Sequence, residues 1–256
     1  PLAKVGEAGG HGAGTEAVNK ALTMETWDEK GVTMKEAKGH VTYDFMRAVV
    51  LPESSQKEMY RQVAAHYDEA MSMQLTNVMM LAYGQTGTGK THTMLGTKES
   101  LRSDVEHDDW GIFPRFLHTV LTRMRAVEND SKEPTNWVCT VSAIEFYMAQ
   151  AYDLLDNKKM VIIDADASPV SATEWEVTKT SDLEPFMDEV NRQRAVSKTK
   201  MNAGSSRSHI ALILTLHQAG RDVGEGEYVE QKLIFKLISS TNIYVANPLM
   251  PATGIL

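Results

Sequence analysis

Cysteine is almost missing from these 256 residues. Cys139 stands alone, so no internal disulfide can form and a reducing compartment fits. Its setting, the alternating stretch WVCTVSAIEFY, reads as a buried small hydrophobe rather than a reactive thiol. No apolar run approaches the roughly 20 residues that a bilayer-spanning helix needs. The opening PLAKVGEAGG lacks the charged-then-apolar pattern of a secretory signal. It also lacks an initiator Met, from which the chain is expected to begin inside a longer protein. Positive charge is short: 26 Lys and Arg against 34 Asp and Glu leave a net −8, which argues against a nucleic-acid binder with a basic face. It argues equally against whole-surface attraction to an acidic partner, while leaving room for local basic patches. Internal repeats are absent, and so are coiled-coil heptads, so an oligomer is not expected from this segment.

What remains is ordinary for a soluble globular protein, 42% hydrophobic and 23% charged. The length suits one large α/β domain or two small ones. The Gly- and Ala-rich first twenty residues read as a loop or arm, with His11 and His40 in loop-like sequence lacking ligand-spaced partners. Alternation predicts a strand over 41–47. Pro52-Glu-Ser-Ser55 announces a helix over 56–73, capped by Ser54 or Ser55. Its methionines read as core filling. A short apolar run over 78–83 predicts a buried strand, followed by a helix over 89–95. Residues 97–110 read as a solvated acidic loop, whose Glu106, His107, Asp108 and Asp109 are hydrated rather than metal-binding. Further expectations are helices over 111–126 and 182–195 (capped by Asp182) and strands over 137–147, 209–217 and 228–235. A helical turn is expected at 151–156, and a weaker strand-turn-strand at 158–180. Strands mixed with helices on both sides indicate a layered α/β domain.

Between the 78–83 strand and the next helix lies Gly84-Gln-Thr-Gly-Thr-Gly-Lys-Thr91, a full G-x-x-x-x-G-K-[ST] match. Wrapping a phosphate requires consecutive backbone N–H groups to point inward. Glycines at 84, 87 and 89 permit the positive φ angles this demands. The following helix aims its N-terminal dipole at the β-phosphate, Lys90 reaches the β/γ oxygens, and the Thr91 hydroxyl is placed for Mg²⁺. Composition alone yields such a string in roughly one chain in a hundred of this length. The strand before and helix after are the context the mechanism needs.

The longer string Ala82-Tyr-Gly-Gln-Thr-Gly-Thr-Gly-Lys-Thr-His-Thr-Met94 resembles the P-loop of the kinesin family almost letter for letter. Asn202-Ala-Gly-Ser-Ser-Arg-Ser-His209 resembles that family's switch I, N-x-x-S-S-R-S-H. Its hydroxyls and guanidinium suit a sensor of the γ-phosphate. Weaker likenesses are Val41-Thr-Tyr-Asp-Phe45, Ser55-Gln-Lys-Glu-Met-Tyr60, Gly111-Ile-Phe-Pro-Arg115, and Ser142-Ala-Ile-Glu-Phe-Tyr147 with Asp153-Leu-Leu155.

The resemblance implies a kinesin motor head: a P-loop NTPase with a central mixed, mostly parallel sheet and helices on both faces. It implies ATP/ADP and Mg²⁺, held by Gly84, Gln85, Thr86, Gly87, Thr88, Gly89, Lys90, Thr91 and His92, with Asn202 nearby. Thr91 and Ser205 would serve the metal, Ser206 the attacking water, and Arg207 a latch to a switch II glutamate. Tyr60 and Pro1 would flank adenine. Microtubules are the implied partner, with Lys158, Lys159 and Lys179 as candidate basic contacts, in a cytoplasmic, cytoskeletal setting without nucleic acid or membrane insertion. A guanine-reading N-K-x-D string is absent, against a GTPase. The likeness falters after Lys232-Leu-Ile-Phe235: Lys236-Leu-Ile-Ser-Ser-Thr241 offers no Asp, Gly or Glu of the switch II motif D-L-A-G-S-E. Two expectations follow. Residues 1–256 form a single motor domain lacking its first strand and an internal segment near 235/236, with the tail from 242 as the last sheet strand. Alternatively, the chain is a degenerate nucleotide binder with little turnover.

Overall fold

A computed structural model of the chain describes residues 23–27, 31–36, 39–44, 50, 53–72, 78–84, 87–130, 137–147, 150–164, 169–200, 208–218 and 233–240. The chain divides into two compact units, Pro1–Ser54 with Asn247–Leu256, and Ser55–Ala246. The first holds an antiparallel meander of β1 (Thr23–Trp27), β2 (Gly31–Glu36) and β3 (Gly39–Asp44). His40, assigned to a loop by sequence, lies in β3 opposite Lys35.

The second unit is built on one sheet. Its strands are β4 (Val78–Tyr83), β5 (Trp137–Tyr147), β6 (Gln150–Asp153), β7 (Lys159–Ile163), β8 (Pro169–Val170), β9 (Trp175–Glu176), β10 (His209–Gln218) and β11 (Leu233–Ser240). Their order is β4-β11-β10-β5-β6-β7-β8, with β9 also on β5. Between them run α1 (Gln56–Ser72), α2 (Lys90–Leu95), α3 (Ile112–Asp130) and α4 (Leu183–Lys200).

A mostly parallel sheet is not what forms. Among the described pairings only β4 with β11 is parallel; the rest are antiparallel. Most of these join strands that follow one another in sequence, and antiparallel neighbours need no crossover helix. The helices also differ from expectation. Among the described residues all four pack on one face, where Cys139, Val141 and Ala143 of β5 alternate with residues facing away. Ile210, Leu212, Leu214 and Leu216 of β10 join them. Helix α3 lays Ile112, Phe113, Phe116, Leu117, Val120 and Leu121 on this face, and α4 adds Leu183, Phe186, Met187 and Val190, both at helical spacing. Each fully buried Leu or Phe stabilises the unit by about 1.5–3 kcal/mol. Pro114 and Pro185 fall in the first turns of their helices, where no intrahelical N–H is lost. The opposite face carries a smaller cluster around Ile144, Ala151, Val161, Ala211 and Ile213.

Local differences have simple causes. The turn expected at 151–156 starts as strand β6, because Ala151 and Tyr152 pair with Phe146 and Glu145. The solvated loop at 97–110 buries Ser100, Leu101 and Trp110. Asp182, the expected cap of α4, turns its carboxylate back instead to accept the amides of Thr178 and Lys179 ahead of the helix. The strand expected at 228–235 is observed over 233–240, running unbroken through 235/236. Residues 228–232, the N-terminal arm with His11, and the tail from 241 lie outside the described residues.

Candidate functional site

Strand β4 delivers the glycine-rich loop. Gly84 follows Tyr83 with φ +153°, and a Cβ there would fall 2.6 Å from Thr88 Oγ1. The chain enters α2 through Gly89, a left-handed residue at φ 89° and ψ 9° with no side-chain cap. A helix so begun leaves its first amides without an acceptor within the helix. The Lys90 ammonium crosses the loop and donates to the Gly84 carbonyl at 2.8 Å. Thr91 and His92 are exposed on the first turn, while Thr93, Met94 and Leu95 anchor the helix in the core.

The far end of α2 is clamped. Gly96 bridges to Trp110, closing the loop between them. The Trp110 indole donates to the Ser100 carbonyl at 2.7 Å. Arg115, 3% exposed, donates to the carbonyls of Trp110, His107 and Asp108 and to the Glu106 carboxylate. Glu106 also pairs with Lys57 of α1 at 3.3 Å. The loop reaches α4 through Arg102–Glu184 at 2.6 Å and Lys98–Asp188 at 2.5 Å. Asp104 accepts the Ser181 amide, which holds its carboxyl below the usual range.

Sheet register brings the ends of β4 and β11 and the start of β10 side by side. Ser239 of β11 stands opposite Ala82 of β4 on one side and Ile210 of β10 on the other. The glycine loop leaves β4 two residues later, and the Ser-Ser-Arg-Ser-His string runs into β10 just before Ile210. The C-terminal ends of parallel strands are where α/β sheets bind ligands. The family model for the kinesin motor domain matches residues 8–238. The chain belongs to the kinesin motor domain family. Kinesin-related protein 5 of Dictyostelium discoideum is 34% identical over 181 residues, 68% of this chain and 18% of that protein. Kinesin-like protein KIF1A of Rattus norvegicus is 30% identical over 175 residues, 66% of this chain and 10% of its own length. Kinesin-like protein Klp61F of Drosophila melanogaster is 34% identical over 176 residues, 65% and 16% respectively. The chain therefore spans only 10–18% of the length of these kinesins.

Of the kinesin-like site residues, Gly84, Gly87, Thr88, Gly89, Lys90, Thr91 and His92 come together in one loop and turn. Tyr60 packs half-buried against the core, its hydroxyl 3.3 Å from Thr119 Oγ1. Pro1, Gln85, Thr86, Asn202, Ser205, Ser206 and Arg207 lie outside the described residues. Lys158 is not a surface contact: it is ion-paired with Glu145, which is buried, whereas Lys159 and Lys179 remain over half exposed. Sequence reasoning missed the clamp of Gly96, Trp110 and Arg115, and it missed Gln56, whose Nε2 donates to the His92 carbonyl at 2.7 Å. Two glycines framing a charged stretch were the available signal for the clamp.

Proposed function

We propose that this chain binds ATP and ADP with Mg²⁺ at the Gly84–Thr91 loop and acts in a microtubule motor, coupling nucleotide state to microtubule binding and movement. The observation carrying this reading is the loop itself: a left-handed entry to α2, a lysine spanning the loop, and a place at the end of the β4–β11 pair beside the start of β10. The residues fit the phosphates. Lys90 neutralises charge on the transferring group, and backbone amides of 85–91 cradle the α/β-phosphates. Thr91 and Ser205 would hold Mg²⁺, which would supply neutralisation of the phosphate charge. Ser206 orients the water, Arg207 latches the loop when the γ-phosphate is present, Asn202 and His92 border the site, and Tyr60 and Pro1 flank adenine. Order in such loops follows the γ-phosphate and is lost on hydrolysis, which is how a phosphate reaches a distant track-binding face. The setting is the cytoskeleton in the cytoplasm, with one motor domain over 1–256. No described helix is long and apolar enough to cross a membrane.

The ATPase rate of the purified protein with and without microtubules tests this. Microtubules are expected to raise it several-fold. Tight nucleotide binding with no stimulation would instead mark a degenerate kinesin head, consistent with the Ser239-Ser240 ending of β11 in place of Asp, Gly and Glu.

A further inference from the structure

Helix α2 carries Lys90 and Thr91 but spans only six residues, fewer than two turns, and so short a helix does not hold itself. Its orientation is set from outside. The His92 carbonyl, next to Thr91, accepts two donors: the Gly96 amide at 2.8 Å and the Gln56 side chain at 2.7 Å. Because the acceptor is a carbonyl, only the amide NH₂ of Gln56 can face it. Gln56 is the first residue of α1, and that start is rigid. The Ser55 amide donates to Glu58 Oε2 at 2.8 Å while Ser55 Oγ accepts the Glu58 amide at 3.2 Å, a reciprocal cap. One turn on, Tyr60 meets Thr119 of α3. The Gln56 amide therefore stands on a fixed platform and grips the phosphate-binding helix one residue past its functional hydroxyl.

We propose that Gln56 is a positioning residue for the nucleotide. Through the His92 carbonyl it sets the rotation and depth of α2, and with them the places of the Lys90 ammonium and Thr91 hydroxyl. The inference rests on the nucleotide-binding reading of this loop. It predicts that removing the donor weakens nucleotide binding without unfolding the protein, because Gln56 is only partly buried and fills no core space. A side-chain to backbone hydrogen bond of this kind is worth a change of about five-fold in an equilibrium.

The test is titration of fluorescently labelled ADP in Mg²⁺, with the thermal midpoint measured in parallel. Gln56→Met keeps length and loses the donor; Gln56→Glu keeps shape and sets a carboxylate against the carbonyl. Gln56→Lys restores a donor, and Gln62→Met, at an exposed glutamine of the same helix, is the control. The expected result is affinity falling about five-fold in the Met variant and further in the Glu variant, recovering with Lys, and unchanged in the control, at midpoints close to wild type. Unchanged affinity in the Met and Glu variants overturns the proposal. So does a loss that tracks the thermal midpoint or is not rescued by Lys, which would make Gln56 merely structural. Failure of the wild type to bind ADP would instead sink the nucleotide reading itself.

Discussion

Gly96 and Gly87 both hold a positive φ, +86° and +85°, yet sit in opposite surroundings. A Cβ at Gly96 would lie 1.9 Å from the Asp109 carbonyl oxygen, whereas one at Gly87 would meet nothing within 4 Å. A positive φ alone costs a side chain about 1–2 kcal/mol or more. Gly87→Ala is therefore expected to lower stability by about that amount, and Gly96→Ala by about 3 kcal/mol or more, since backbone must move. Urea unfolding of the two side by side decides it, and equal losses would mean the loop gives way freely. Cys139 is a second case where surroundings decide. Burial pushes its thiol up to about 12 from 9.0. Native protein should resist thiol reagents at pH 8 and label fully in urea. Above pH 9 the unfolded thiol ionises while the native one stays neutral, so native stability falls as pH climbs from 9 toward 12. Cys139→Ser should remove that part of the alkaline slope.

Between α2 and α3, charge misled and geometry corrected. The stretch 97–110 is acidic in sequence and does expose its carboxylates, but it folds around Trp110 because Arg115 acts as a local solvent for its carbonyls. Arg115→Leu would take this donor from the Trp110 and Asp108 carbonyls, while the His107 carbonyl keeps the Trp110 amide and Glu106 keeps water and Lys57, for a cost of about 2 kcal/mol. Lysine fares little better, since a single ammonium cannot reach sites that a planar fork spans. Both variants should lower the urea midpoint, with Arg115→Lys recovering only a minor part; full recovery by Lys would reduce the clamp to simple charge. Elements with long patterned runs, α1, α3, β5 and β10, were legible because their own sequence carries the signal: helical spacing in α1 and α3, and long β-branched and apolar runs in β5 and β10. Those defined by partners, such as β6 against β5 and the fold of the 97–110 loop around Trp110 and Arg115, were not, because no local pattern encodes a neighbour.

Across the whole molecule, the phosphate loop was readable because its demands are local: glycine where φ must be positive, and lysine where charge must be spanned. Strand direction was not, since the ends of β4 and β11 and the start of β10, distant in the chain, come side by side only through their register. Whether that meeting makes a working nucleotide site can be judged from stability. A ligand that binds only the native state stabilises it by about 2.7 kcal/mol at a hundred times its dissociation constant, roughly 5–10 °C in thermal midpoint for a domain of this size. Mg²⁺–ADP should raise the midpoint of the wild type by that order. Lys90→Ala should erase the rise, because no other described side chain crosses the loop to the Gly84 carbonyl. Thr91 gives the finer test. If its hydroxyl serves Mg²⁺, then Thr91→Ala and removal of the metal with EDTA act on one interaction. Each should shrink the rise by a similar amount, and EDTA should do nothing further to Thr91→Ala. Additive losses would place the metal elsewhere, and a rise that ignores EDTA altogether would leave the site binding phosphate through Lys90 and the loop amides alone.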